Sequence, residues 1–146
     1  MYFEDLQLNR TEKLCKTRID KDEMIIFAKK FNNIPIHTDE EYAKTTKFGE
    51  VIAPGIYTYL LVWAEYIKED FFGDELIAGK STKIEWLKPA FAGDLLSSEA
   101  EITGLHEKGE HSGIAELTIR VYNQNGDLIM SSITEAVVRK NNILEI

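Results

Sequence analysis

The segment that decides the fold is Ile52-Ala53-Pro54-Gly55-Ile56-Tyr57-Thr58-Tyr59-Leu60-Leu61-Val62-Trp63-Ala64-Glu65-Tyr66-Ile67-Lys68. Pro54-Gly55 opens a helix, and the run that follows is apolar on nearly every face until Lys68. A helix of that kind is buried on most sides, and this one is too short and too polar at its end to cross a bilayer. Its cover must come from elsewhere in the chain.

Downstream, the hydrophobic period changes to two. Ile84 and Trp86 alternate with Lys83 and Glu85, and Leu117, Ile119 and Val121 alternate with Glu116, Thr118 and Arg120. Turn signals fall at Ala92-Gly93-Asp94, Glu107-Lys108-Gly109 and Asn123-Gln124-Asn125-Gly126-Asp127. The pattern predicts four consecutive antiparallel strands of roughly 10–13 residues, longer than the usual mode. An α+β arrangement, in which a long curved antiparallel sheet wraps one central helix, is the simplest packing. A single helical layer leaves sheet edges unpaired, so a homodimer joined edge to edge, or a higher homo-oligomer, is expected.

Upstream, Lys13 to Ile19 reads as a short strand with polar alternation. Asp20 stands three residues before Glu23, the spacing of a capping box, and Met24, Phe27, Ala28 and Phe31 follow at helical intervals. That helix should stop at Asn32-Asn33, because Pro35 biases Ile34 towards extended backbone. Thr38 and Glu41 read as a second capping box opening a short helix through about Thr46, with Gly49 as its breaker.

At 146 residues, with 44% hydrophobic and 29% charged side chains, the chain is expected to form one domain over 1–146. A formal charge of -8 with scattered lysines argues against nucleic acid. The N-terminus has no basic flank with an apolar core and no apolar run reaches 18 residues, so the expectation is a cytoplasmic protein with no membrane partner. Cys15 is the single cysteine, which excludes an internal disulfide, and it reads as a half-buried strand residue. No His, Asp or Glu cluster has metal spacing, so no metal is expected; His106 and His111 flank a hairpin and read as solvated.

The chemistry-bearing stretch is Asn32-Asn33-Ile34-Pro35-Ile36-His37-Thr38-Asp39-Glu40-Glu41-Tyr42-Ala43, followed by Phe48-Gly49. It sets one imidazole on a proline-stiffened turn, while Gly55 starts a helix whose free amides suit a developing oxyanion. Together with Trp86-Leu87-Lys88-Pro89, Gly93-Asp94 and the hairpin at Asn125-Gly126-Asp127, the order of these pieces resembles the MaoC-like dehydratases, or (R)-specific enoyl-CoA hydratases, of the hot-dog fold. The resemblance implies syn addition of water to a trans-2-enoyl-CoA or acyl-carrier thioester. It needs no cofactor, acyl-CoA being substrate or ligand.

Carried over residue by residue, the resemblance makes His37 the acid/base and Gly55 the amide facing the thioester carbonyl, with Pro54 and Ile56 beside it. In the family, the turn reads Gly-Asp-x-Asn-Pro-x-His. Here counting back five from His37 gives Asn32, while counting from Phe27-Ala28 gives Asn33, and neither is a carboxylate. Asn32 is read as the water-orienting catalytic partner. An amide cannot take a proton at neutral pH, so the site is either an impaired hydratase or a non-catalytic acyl-CoA-binding module. A thioesterase would need a carboxylate near the carbonyl; Glu65, roughly 15 Å along the helix from Gly55, is the obvious candidate, and it reads otherwise as a charge at the helix end reaching solvent or the dimer partner. Tyr57, Tyr59 and Trp63 read either as core beneath the sheet or as walls of a narrow acyl tunnel. Asp39 reads as a helix-dipole residue, and Lys83 and Lys88 as lysines that either meet carrier phosphates or are simply solvated.

Overall fold

The structure, a computed structural model, describes residues 1–142. Two short strands, β1 (Thr11–Lys13) and β2 (Thr17–Arg18), precede helix α1 (Lys21–Phe31). A one-turn helix α2 (Pro35–Thr38) and a short α3 (Glu40–Lys44) lead to the central helix α4 (Gly55–Lys68). Strands β3 (Leu76–Trp86), β4 (Leu95–Glu107), β5 (Ser112–Tyr122) and β6 (Leu128–Arg139) complete the chain. The sheet runs β1-β4-β5-β6-β3 with β2 also on β4, and every pairing is antiparallel. With α4 against its inner face, this is the hot-dog fold.

The inner face is built by alternation. Ala115, Leu117, Ile119 and Val121 of β5 are all within 1% of full burial, and they join Val62, Tyr57 and Tyr66 of α4 in one core cluster. Each large side chain buried there contributes about 1.5–3 kcal/mol relative to exposure. The β5–β6 turn closes as its sequence predicts: the Asn123 side-chain oxygen accepts from the amides of Asn125 and Asp127, and Gly126 takes φ 79°, where a Cβ would be strained.

Several sequence expectations need correction. The strand expected over Lys13–Ile19 is two fragments, because the chain leaves β4 after Leu14, whose amide still donates to Ser98, and rejoins it at Thr17. Cys15 lies in that gap and is exposed, not half-buried. In α1 the Asp20 carboxylate caps the Glu23 amide at 2.8 Å, but the Glu23 side chain turns to Tyr57 instead of closing the box. Met24 and Ala28 are fully buried while Phe31 is 66% exposed, so the inward stripe ends a turn early.

The second capping box does not form. Pro35, with its φ preset for a first helical residue, starts the turn ahead of His37. Asp39 is therefore the first extended residue after it, and its carboxylate caps the Tyr42 amide at 3.1 Å. Thr38 instead donates to the Ile34 carbonyl.

Finally, α4 is not covered all round. Tyr57, Thr58, Val62 and Tyr66 are buried, but Ile56, Leu60 and Ile67 are about half exposed, as is nearly all of β3. Nothing in the described chain packs over that stripe.

Candidate active site

His37 owes its position to two backbone stitches. The amide of His37 donates to Ile34, closing the turn that Pro35 begins, and the amide of Ile52 donates to Ile36. The Ile52 carbonyl then lies 2.8 Å from His37 Nδ1. A carbonyl only accepts, so Nδ1 carries the proton and Nε2 of the neutral ring keeps its lone pair. Among the described residues no fully buried side-chain nitrogen or oxygen lacks a partner. Nε2, which has none, is therefore reachable by solvent although His37 is only 8% exposed.

The space it meets is a cavity of about 440 Å³ between α2, the start of α4 and the ends of β3 and β6. Asn32, His37, Gly55, Thr58, Trp86 and Lys88 supply its polar or amide-bearing groups, and Phe48, Ile52, Ile56, Leu87 and Met130 are among its apolar walls. At the start of α4, Pro54 is the cap residue and no side chain caps the helix. The Pro54 carbonyl accepts from the Thr58 amide, so the three amides before it have no acceptor within the helix. The positive end of the helix dipole thus meets the cavity that holds the imidazole. Glycine at position 55 lets the Trp86 indole lie against the helix start, since a Cβ there would sit 2.4 Å from the ring and force it to shift.

Of the expected site residues, the structure brings Asn32, His37, Gly55 and Ile56 to this one cavity. Asn32 ends α1, its amide bonded to Ala28, and is half-buried; Asn33 faces a different depression beside Lys21 and Asp39. Pro54, Tyr57 and Tyr59 are not among the lining residues. Tyr57 is buried and its hydroxyl donates to Glu23 at 2.6 Å; burial, with that carboxylate, pushes the phenol well above its ordinary range. Tyr59 stacks on Trp63, ring centroids 5.6 Å apart. Glu65 is paired with Lys68 at 3.0 Å and lies outside the cavity.

Among the described residues, no side chain lining the cavity is acidic. Asp39 is occupied as a helix cap, and among the described residues no group of three or more His, Cys, Asp or Glu is arranged to hold a metal. No described helix is long and apolar enough to cross a membrane. Sequence reasoning omitted Trp86 from the site, and Thr58 with it. Trp86 ends β3 just before Pro89 stops the ladder, which was the available signal that its ring lies at a sheet end.

Residues 6–123 match the family model described as a MaoC like domain. The chain is 31% identical to an (R)-specific enoyl-CoA hydratase of Aeromonas caviae, over 95% of this chain and 98% of that protein. It is 30% identical to the uncharacterized protein YdeM of Bacillus subtilis, over 85% of this chain and 89% of the other. Among solved structures it is similar to a monoamine oxidase regulatory protein from Archaeoglobus fulgius, with TM-score 0.91, 27% identity, and coverage of 97% and 95% of the two chains.

Proposed function

We propose, from the premise that this chain belongs to the MaoC-like domain family, that it adds water to a trans-2-enoyl thioester to give the (R)-3-hydroxyacyl thioester. The observation that carries the reading is the Nδ1–Ile52 hydrogen bond of His37, which leaves Nε2 as the ring's free nitrogen, in a residue that lines the same cavity as the start of α4. The thioester carbonyl would accept from the Gly55 amide. Water, held by the Asn32 amide and His37, gives its proton to Nε2 as its oxygen bonds to C3. The C2–C3 pair moves towards the carbonyl oxygen, and the enolate charge is stabilised by the helix N-terminus. The imidazolium then returns the proton to C2 on the same face, which makes the addition syn.

A carboxylate in place of Asn32 would share the general-base work, typically worth about 10²–10⁴-fold. Its absence from the cavity lining favours a second reading, a non-catalytic acyl-CoA-binding protein. A thioesterase has less support, because Glu65 is held by Lys68 outside the cavity. For the assembly, the long exposed β3 and the open stripe of α4 support a homodimer joined at that edge.

Crotonyl-CoA hydration, followed by loss of the enoyl absorbance, separates the readings. The hydratase predicts turnover in the native chain, its loss in His37→Ala, and a gain of about 10²-fold or more in Asn32→Asp. Tight binding of crotonyl-CoA without turnover in either the native chain or Asn32→Asp would favour the binding module.

A further inference from the structure

We infer that Lys88 is an anion-binding residue of this site, pairing its ammonium with an oxyanion on the thioester ligand; the inference rests on the acyl-thioester reading above. Among the described residues, Lys88 is the single Lys, Arg, Asp or Glu side chain that lines the cavity, and the Nδ1 proton of His37 is engaged by the Ile52 carbonyl. The remaining walls are apolar or uncharged, so a ligand anion has no other counter-ion there.

The chain as a whole carries a formal charge of -8, which repels an anionic ligand at long range. A local cation at the mouth is what lets such a ligand settle. Lys88 is suited to that role by its backbone. The amides of Leu87 and Lys88 both donate to the Ile129 carbonyl, at 2.8 and 3.2 Å, which pins the chain while the Lys88 side chain stays 55% exposed. Trp86, two residues earlier and also lining the cavity, lies against Gly55. The cation therefore stands on the same wall of the cavity as the residue that covers the proposed carbonyl site.

Its present partner is replaceable. Asp127 stands 3.5 Å from Lys88 Nζ and is 42% exposed, a loose pair across solvent of the kind that contributes little. A ligand oxyanion would displace it at small cost. Lys83, which the sequence could not separate from Lys88, pairs with Glu85 along the exposed β3 and does not line the cavity.

The oxyanion has two possible sources, a phosphate of the carrier or a carboxylate on the acyl chain, and three probes distinguish them. Crotonyl-CoA offers carrier phosphates alone, the N-acetylcysteamine monothioester of fumaric acid offers an acyl carboxylate alone, and crotonyl-N-acetylcysteamine offers neither. Dissociation constants are measured by titration calorimetry on the full chain, so the readout does not depend on turnover. The expected result is that Lys88→Gln weakens one anionic probe about tenfold, leaves the neutral probe unchanged, and is rescued by Lys88→Arg. Asp127→Asn, by removing the competitor, tightens that same probe. The probe affected identifies the source.

Equal affinities of Lys88→Gln and the native chain for all three probes, or an equal loss that includes the neutral one, would overturn the assignment. The two proposals fail separately. Turnover of crotonyl-CoA with no Lys88 effect removes this inference alone, and a Lys88 effect without turnover removes the hydratase alone.

Discussion

The two ends of α4 are built to opposite rules. At its C-terminal end Glu65 pairs with Lys68 and the aromatic rings interlock. Trp63 meets Tyr66 at 4.9 Å, Phe71 meets Phe72 edge-on at 5.4 Å, and Arg10 lies over Phe71 at 4.3 Å. Lys68, in the last turn, complements the helix dipole and pairs with Glu65. At the N-terminal end no side chain caps the helix, a glycine replaces a packing residue, and the neighbouring imidazole keeps a free lone pair. One end is closed to hold the fold together. The other is left chemically unfinished, which in the proposed reaction is where the substrate completes it.

The sharpest way to break that comparison is to exchange the consequences of damage at the two ends. Phe72 is 2% exposed, and Phe72→Ala should cost about 3–5 kcal/mol of stability, lowering Tm on the order of 10 °C. Activity per folded molecule should survive. His37→Ala should do the reverse, removing about 10²–10⁴-fold in hydration with a much smaller change in Tm. Urea melts and rates corrected for folded fraction check both. If His37→Ala unfolds the chain as Phe72→Ala does, the imidazole is chiefly a structural tie between Ile52 and α2.

The sheet was readable in the sequence and the open end of α4 only partly so. Long period-two runs and turn residues announce β3 to β6, because a half-buried strand leaves its mark on every second residue. The caps around Asp39 were misread because Pro35 and Thr38 offer competing local starts, and the proline's fixed φ decides between them. Phe31, Ile56, Leu60 and Ile67 look like core by composition, yet are exposed in this chain. Periodicity reports which residues favour burial, not whether the same chain supplies the cover. Likewise, the cavity's Trp86 belongs to β3, more than thirty residues after Gly55, and no local pattern links them.

That contact gives a finer test of the open end. Alanine in the interior of a helix is ordinarily favourable by about 1 kcal/mol over glycine, and at the first position nothing in the backbone opposes it. At Gly55 the new methyl meets Trp86 at 2.4 Å, so Gly55→Ala should instead destabilise by about 1–3 kcal/mol through overpacking. The Gly55→Ala, Trp86→Ala double variant should recover part of that, with a coupling above about 0.5 kcal/mol in a double-mutant cycle. Simple additivity would mean that the indole, half exposed, moves aside freely and is no wall of the site.

The smallest expected effect lies at Tyr57, in the first turn of α4 but on its buried side. Its hydroxyl donates to Glu23, tying α4 to α1. Tyr57→Phe keeps the ring and its edge contact with Phe27 but deletes that bond, for a loss of about 0.5–1.5 kcal/mol at neutral pH. The pH dependence has a fixed sign. Burial and Glu23 raise the Tyr57 phenol above its ordinary value of 10.0, so beyond that pH the folded chain retains a proton that the unfolded chain releases. Stability contributed by Tyr57 is therefore complete below pH 10 and falls as pH rises past it. Tyr66, raised by burial, adds the same alkaline slope in both proteins. The gap in urea midpoint between native chain and Tyr57→Phe should accordingly narrow from pH 8 to pH 11. A gap that stays constant would mean that the Glu23 tie makes no protonation-dependent contribution, and that α1 is held to α4 by Phe27 packing alone.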